Sequence, residues 1–188
     1  DDFEGGFDGA GSSFSEFEAL NNSFTTWQSV NSTDLAITYS GLTPIAETKI
    51  DEKNVIFWVE KGWNALDFHP PRGALAVTIS SFDVKSGEII DTDILLNGEY
   101  FTWAHIDNED ESMIVDIENT VTHEVGHVLG LDHSSNDPFE ENEKIRTATM
   151  YYATNPGITD GRSLESDDIL GLQHLYPANV DAIPRPDI

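Results

Sequence analysis

The chain has 188 residues, and 38% of them are hydrophobic. This length and apolar content suffice for one compact domain with a core but not for two domains of ordinary size. Its formal net charge is −26, from 35 Asp and Glu against 9 Lys and Arg, so neither nucleic acid nor an anionic membrane surface is expected as a partner. The absence of cysteine excludes disulfides, thiolate metal sites and cysteine nucleophiles and favours a microbial source.

One domain flanked by two tails is predicted. Residues 1–14 are acidic and glycine-rich, and residues 178–188 hold two prolines in a short run without helical or strand periodicity. Over residues 15–177, helical and strand patterns follow one another with turn-like stretches between them. No apolar run reaches the ~18 residues that a membrane span requires, so insertion into a membrane is not expected.

A helix is predicted first, followed by several strands. The helix covers residues 15–30, where Phe17, Leu20, Phe24 and Trp27 recur at spacings of three and four and therefore share one face. Alternating or continuous apolar runs predict strands at residues 35–39, 55–59, 74–79, 89–95 and 101–105. A turn at 85–88 separates the third and fourth of them.

The second half of the chain is predicted to be mainly helical. Asp116 is a suitable N-cap, and Glu118 suits the positive end of a helix dipole. An apolar stripe follows, and Gly130 is placed to end the helix in a left-handed turn. A last helix is predicted over 166–175, before Pro177. The order of one helix, several strands and further helices indicates an α+β (mixed α/β) domain.

The helix after Asp116 carries a metal-binding pattern. His123 and His127 are four residues apart, so their imidazoles lie one turn apart on one helix face and can bind the same ion. Glu124 follows the first histidine and is placed to act as the base for a metal-bound water. Gly130 lets the chain reverse so that His133 returns as a third ligand. Three protein ligands leave one position for water, which is typical of a catalytic zinc site.

This extended histidine motif resembles that of the metzincin zinc peptidases, in which a Met-turn follows the metal site. Met150, within Ala-Thr-Met-Tyr-Tyr, is the candidate for that turn, as an apolar floor rather than a ligand. The resemblance implies a twisted, mostly parallel five-stranded sheet with a backing helix, an active-site helix and a C-terminal helix. It also implies a zinc-dependent endopeptidase that holds one catalytic zinc ion.

Within the metzincins, the sequence is similar to the matrixins, which resemble matrix metalloproteinases, over residues 15–177. The run 164–176, with paired Asp167 and Asp168, resembles the matrixin C-terminal helix. The run Gly-Ala-Leu-Ala resembles the strand that binds the substrate backbone in that family, which assigns this role to Leu75 and Ala76. The resemblance further implies a secreted, monomeric protein acting on proteins or peptides, here as a microbial family member.

Three departures from the family pattern lead to separate expectations. Vertebrate-type matrixins bind a second, structural zinc partly through histidines, and Val77 and Leu95 stand at the matching positions, so a second zinc is not expected. Tyr152 stands where many matrixins have proline, and in astacin-like and serralysin-like enzymes a tyrosine there can approach the zinc, so Tyr152 is expected either to line the wall or core of the site or to lie close to the zinc. The acidic stretch 134–149 is longer than the family pattern and is expected to be a surface loop or an insertion that binds calcium or borders the cleft.

Two alternative functions and one further cofactor remain open at this point. A metzincin fold without turnover would be a binding module, although the presence of Glu124 argues against it. A non-matrixin, astacin-like peptidase is the other alternative. The role of Tyr152 would distinguish an astacin-like peptidase from a matrixin. Calcium is an additional expectation because acidic loops such as 107–111 supply hard oxygen ligands, with no ligands assigned.

Overall fold

The computed structural model describes residues 16–107 and 111–178. The predicted tail 1–14 and all but the first residue of the tail 178–188 lie outside the described residues. The three longer predicted helices are confirmed: α1 is Glu16–Gln28, α2 is Ile117–Val128 and α4 is Ser166–Leu175. A short helix that was not predicted, α3 at Glu143–Arg146, lies within the acidic stretch 134–149. Single 3₁₀ turns occur at Trp63–Ala65 and Asp160–Arg162.

Residues 16–107 and 111–178 contain five strands, and the α+β class is confirmed. They are β1 (Ile56–Trp58), β2 (Ala76–Phe82), β3 (Ile89–Leu96), β4 (Thr102–Ala104) and β5 (Ile114–Asp116). They form two ladders, in the orders β1-β3-β2 and β4-β5, rather than the single five-stranded sheet that the resemblance implied. The β1–β3 and β4–β5 pairings are parallel, and the β2–β3 hairpin is antiparallel. In the described part of the chain, β2 is therefore an edge strand.

The strand predicted over residues 35–39 does not form, and that prediction was wrong. The N–H of Ile37 donates to the side chain of Gln28 at 2.9 Å instead of to another strand. In residues 49–55, which precede β1, backbone N–H groups also bond to side chains instead of to a neighbouring strand. Their acceptors are carboxylates of β3. Asp91 accepts from residues 51 and 53, and Asp93 from residues 49 and 55. Strand β5 was not among the predicted strands.

The main core lies where α1, α2 and β3 meet. Trp27 is fully buried, and its indole Nε1 donates to the carbonyl of Thr122 at 2.8 Å, which ties α1 to α2. Val121 and Val125 of α2 pack in the same cluster as Ile94 of β3. None of the helices within residues 16–107 and 111–178 has the length and apolar character of a membrane span.

Candidate metal centre

Helix α2 begins and ends where the sequence predicts. The side chain of Asp116 accepts from the N–H of Asn119 at 2.7 Å, which is the N-cap bond. Asp116 also pairs with the guanidinium of Arg162, so the cap is held from a second part of the chain. Gly130 has φ of 88°, a left-handed conformation that side chains disfavour, and it turns the chain after the helix. This turn returns His133 toward His123 and His127.

The three predicted ligands converge. The Nε2 atom of His127 lies 3.1 Å from Nε2 of His123 and 3.2 Å from Nε2 of His133. Ligand atoms at 2.0–2.1 Å from a tetrahedral zinc ion lie about 3.3 Å apart, so the separation suits a shared ion. Among residues 16–107 and 111–178, these histidines form the one group of three or more His, Cys, Asp or Glu side chains close enough to hold a metal together.

Each of the three rings is held by a hydrogen bond on its far side. The ring Nδ1 atoms face oxygen acceptors: Thr149 O at 2.7 Å from His123, Leu131 O at 2.8 Å from His127, and Asn136 Oδ1 at 2.7 Å from His133. Because oxygen accepts the proton carried by Nδ1, the Nε2 lone pair is directed to the common point. Such bonds fix the tautomer and orientation of metal-binding histidines, and the residues present therefore fit zinc.

The electrostatics favour neutral imidazole, the form that binds metal. Burial, together with the nearby His127, lowers the pKa of His123 to about 3, although the hydrogen bond to Thr149 acts in the opposite direction. At neutral pH the His123 ring is therefore uncharged. Metal binding at this ring would not have to displace a proton.

Glu124 lies beside the triad in a buried position. Its side chain is 5% exposed, and its Oε2 accepts a hydrogen bond from Thr78 Oγ1 at 2.6 Å. Burial raises the pKa of this carboxyl, whereas His127, the Thr78 hydroxyl and His133 lower it. A carboxylate with a raised pKa beside a metal site is suited to proton transfer. Thr78 was not identified from the sequence.

Met150 is 2% exposed and belongs to the main core, and its role as the Met-turn residue stays a prediction. It packs on α2 at Gly126, where an added Cβ would come 2.2 Å from Met150 Sδ. The backbone N–H groups of Thr149 and Met150 donate to the carboxylate of Asp168, both at 2.9 Å. Helix α4 thus holds the Met-turn against the active-site helix. Of the predicted pair of aspartates, Asp168 is buried and its neighbour Asp167 is exposed.

Tyr152 lies next to the triad. Its ring centroid is 6.4 Å from that of His133, and the residue is 38% exposed. Its N–H donates to the carbonyl of Ser135 at 3.4 Å, which connects it to the acidic stretch 134–149. The geometry places Tyr152 in the wall of the site, and its binding to a metal stays a prediction.

A cleft of about 1480 Å³ passes over the triad. Residues from β2, from α2 and from the segment after Met150 line it; they include Leu75, Ala76, Thr78, Tyr152 and Thr154. Leu75 precedes β2, and its carbonyl accepts from Asn97 at 2.9 Å, whereas no partner of the Leu75 N–H is recorded among the described residues. A main-chain donor is therefore available beside the cleft.

The two positions that a structural zinc would need are apolar. Val77 and Leu95 are direct partners in the β2–β3 ladder. Leu95 is fully buried with Val59 and Trp63, and Val77 packs against that cluster. A small apolar cluster therefore occupies this place. The calcium expectation at 107–111 is not tested, because residues 108–110 lie outside the described part of the chain.

The chain is similar to known metalloendoproteinases. The family model described as Matrixin matches residues 12–177. Metalloendoproteinase 4-MMP of Arabidopsis thaliana is 36% identical over 114 residues, which are 60% of this chain and 29% of that protein. Metalloendoproteinase 2-MMP of the same plant is 31% identical over 119 residues, 60% of this chain and 27% of the relative. Matrix metalloproteinase-9 of Canis lupus familiaris is 42% identical over 65 residues, 35% of this chain and 7% of the relative.

The similarity has two limits. The matched part spans less than a third of the length of either plant relative. These relatives come from a plant and a mammal, and they give no support to the expected microbial source.

Proposed function

The chain belongs to the matrixin family, and from this membership we propose that it is a zinc-dependent endopeptidase cleaving internal bonds of extended proteins or peptides. The observation that carries the proposal is the convergence of three histidines, each anchored at Nδ1, beside a buried glutamate. Three protein ligands leave a coordination position open, which is typical of catalytic zinc sites. The named relatives are metalloendoproteinases, which supports the same activity.

The mechanism assigns a separate task to each residue. His123, His127 and His133 would hold zinc, which supplies Lewis acidity by polarising a carbonyl and lowering the pKa of water to about 7. Glu124 accepts a proton from the attacking water and then donates it to the leaving amine. Burial raises the pKa of Glu124, which makes it a stronger base than an exposed glutamate.

The substrate is proposed to lie extended along β2. An edge strand can pair with an added strand through main-chain hydrogen bonds, and the free N–H of Leu75 supports such pairing there and at Ala76. Pairing of this kind holds a chain on both sides of the reacting bond, which favours cleavage within a chain. The wall formed by Tyr152 and Thr154 faces α2 and supports a pocket for the side chain after the cleaved bond, with a preference for a bulky apolar residue.

Hydrolysis of internally quenched peptides tests the proposal. Purified protein loaded with zinc is expected to cleave internal bonds, o-phenanthroline to abolish cleavage, and added zinc to restore it. Glu124→Ala is expected to keep zinc and to lose nearly all turnover, because the metal ligands remain and the base does not. A folded, zinc-loaded protein that cleaves no peptide would overturn the peptidase proposal in favour of a non-catalytic binding module.

One zinc ion per chain is part of the proposal. The apolar pair Val77 and Leu95 supports it, because neither side chain can bind metal. Elemental analysis of the dialysed protein is expected to give one zinc per chain, and a value of two would contradict this assignment. Calcium remains a proposed second ion with no ligands assigned. Activity and thermal stability measured with and without calcium after treatment with a calcium-selective chelator would test it.

We propose a secreted, monomeric protein, on the resemblance to the matrixins and on the acidic surface. The charge of −26 disfavours self-association at low salt through mutual repulsion. Light scattering of the purified chain would test the monomer, and fractionation of the source culture would test secretion. A dimer, or protein retained within cells, would contradict the respective proposal.

A further inference from the structure

Thr78 connects the edge strand of the cleft to the proposed catalytic base. Its Oγ1 lies 2.6 Å from Glu124 Oε2 and 3.3 Å from the Glu124 backbone carbonyl. A threonine hydroxyl carries one proton, and the shorter contact to a carboxylate is the stronger bond. Within the described residues, no other donor to the Glu124 carboxylate is recorded. The second oxygen, Oε1, therefore remains available to accept a proton.

The hydroxyl is held by a rigid part of the fold. Thr78 lies in the middle of β2 and is the register partner of Ile94 in β3, which is 1% exposed. A β-branched side chain has few rotamers, so a strand fixed by its ladder also fixes the hydroxyl. Glutamate, in contrast, has three side-chain torsions, and a carboxylate bound through one oxygen loses much of this freedom.

We propose that Thr78 is a positioning residue for Glu124, a role that rests on the proposed peptidase function. The hydroxyl holds Oε2 so that Oε1 stays directed toward the point shared by the three histidines. Because Leu75 and Ala76 lie three and two residues earlier in the same strand region, one element aligns both the substrate main chain and the base. Alignment of this kind contributes to catalysis by holding reacting groups in a productive geometry.

Three variants of β2 separate positioning from packing. Thr78→Val keeps the shape and removes the hydroxyl, Thr78→Ser keeps the hydroxyl, and Ser81→Ala removes a hydroxyl from the opposite face of the same strand. Thr78→Val is expected to lower kcat about tenfold or more, because loss of the hydrogen bond to the Glu124 carboxylate misplaces the base. KM should change little, because the residues that contact the substrate are the same. Thr78→Ser is expected to restore most of kcat, and Ser81→Ala to match the wild type.

Wild-type kcat in Thr78→Val would overturn the proposal, and so would an equal loss in Thr78→Ser and Thr78→Val. A change in KM alone would also overturn it. Crystal structures of the zinc-loaded wild type and Thr78→Val supply a readout that does not depend on activity. The expected result is a displaced Glu124 carboxylate in the variant, and an unmoved carboxylate counts against positioning. If the wild type cleaves no peptide, the peptidase function fails, and these structures still decide the role of Thr78.

Discussion

Asp168 accepts a hydrogen bond from the backbone N–H of Met150, with 2.9 Å between Oδ1 and the nitrogen. Its other oxygen accepts from the N–H groups of Thr149 and Glu165, at 2.9 and 2.8 Å. The carbonyl of Thr149 in turn faces Nδ1 of His123. A carboxylate of α4, 2% exposed, therefore supports the Met-turn and, through it, one proposed zinc ligand.

Replacing Asp168 by alanine is expected to weaken both the fold and the metal site. Two buried backbone N–H groups and one partly buried N–H group would lose their acceptor, which should lower the free energy of unfolding by about 2–4 kcal/mol. Displacement of Thr149 should lower the zinc affinity about tenfold. Urea unfolding and competition with a chelator measure the two effects. Asp167→Ala removes the exposed neighbouring carboxylate and is expected to change neither, and equal effects in the two variants would contradict the prediction.

Gly126→Ala is expected to destabilise the protein despite the better helix propensity of alanine. The added Cβ would lie 2.2 Å from Met150 Sδ and 2.9 Å from the Trp27 ring, so buried groups must move. Overpacking of this kind costs about 1–3 kcal/mol, more than the ~1 kcal/mol gained from propensity. Gly171→Ala in α4 meets only the movable end of Leu131 and is the matched control. Equal urea midpoints for the wild type and Gly126→Ala would disprove the packing argument.

Local sequence signals were sufficient for the active-site helix and its ligands. The cap at Asp116, the four-residue spacing of His123 and His127, and the turn at Gly130 each act within a few residues, and the structure has all three. Strands β2 and β3 and the turn between them were also predicted, because a turn-like stretch separates two apolar runs, but their antiparallel pairing was not. Helices and turns that are determined by residues close together in the sequence could therefore be predicted.

Contacts between distant segments were not predictable in this way. Thr78 meets Glu124 across 46 residues, and nothing near Thr78 marks that contact. The failed strand at 35–39 has a strand-like alternation, but a glutamine side chain and not a neighbouring strand accepts its amide. Asn136 is three residues from His133, so its contact is local, yet an asparagine in an acidic loop carries no pattern that would single it out.

Asn136→Ala is expected to weaken zinc binding while leaving the metal-free fold unchanged. The amide oxygen orients His133 from an exposed loop, so little buried structure depends on it. Loss of such a partner lowers metal affinity by about 10- to 100-fold. Chelator competition measures the affinity, and urea unfolding of the metal-free protein measures the fold. Asn136→Asp keeps an acceptor and should bind zinc at least as well as the wild type.

The control for this prediction lies in the same loop. Asn142 caps α3 and makes no recorded contact with the triad, so Asn142→Ala should keep wild-type zinc affinity. Comparable loss of zinc in Asn142→Ala and Asn136→Ala would indicate that loop order, rather than the bond to His133, determines the affinity.

Asp93 is expected to make stability depend on pH between about 4 and 6. Burial raises its pKa to about 6, with smaller contributions of the same sign from the charges of Asp91 and Asp51, whereas hydrogen bonds from Lys49 and Val55 lower it. An unfolded aspartate has a pKa near ~3.9, so the folded protein holds this proton more tightly. The contribution of protonated Asp93 is therefore fully present below about pH 4 and is lost as the pH rises through 6.

Asp93→Asn isolates this effect, because an amide does not titrate and the other carboxylates are common to both proteins. Urea unfolding from pH 4 to 7 should show the free energy of unfolding falling more steeply in the wild type than in Asp93→Asn, whatever the offset between the curves. Asp83→Asn is a control without an effect in this range: hydrogen bonds from Ser86 and Lys85 lower the pKa of Asp83, so its contribution is lost only as the pH falls below about 4. Parallel curves for the wild type and Asp93→Asn would show that the carboxylate is ionised in the fold at its ordinary pKa, and that the amides of the 49–55 segment, rather than burial, determine its charge.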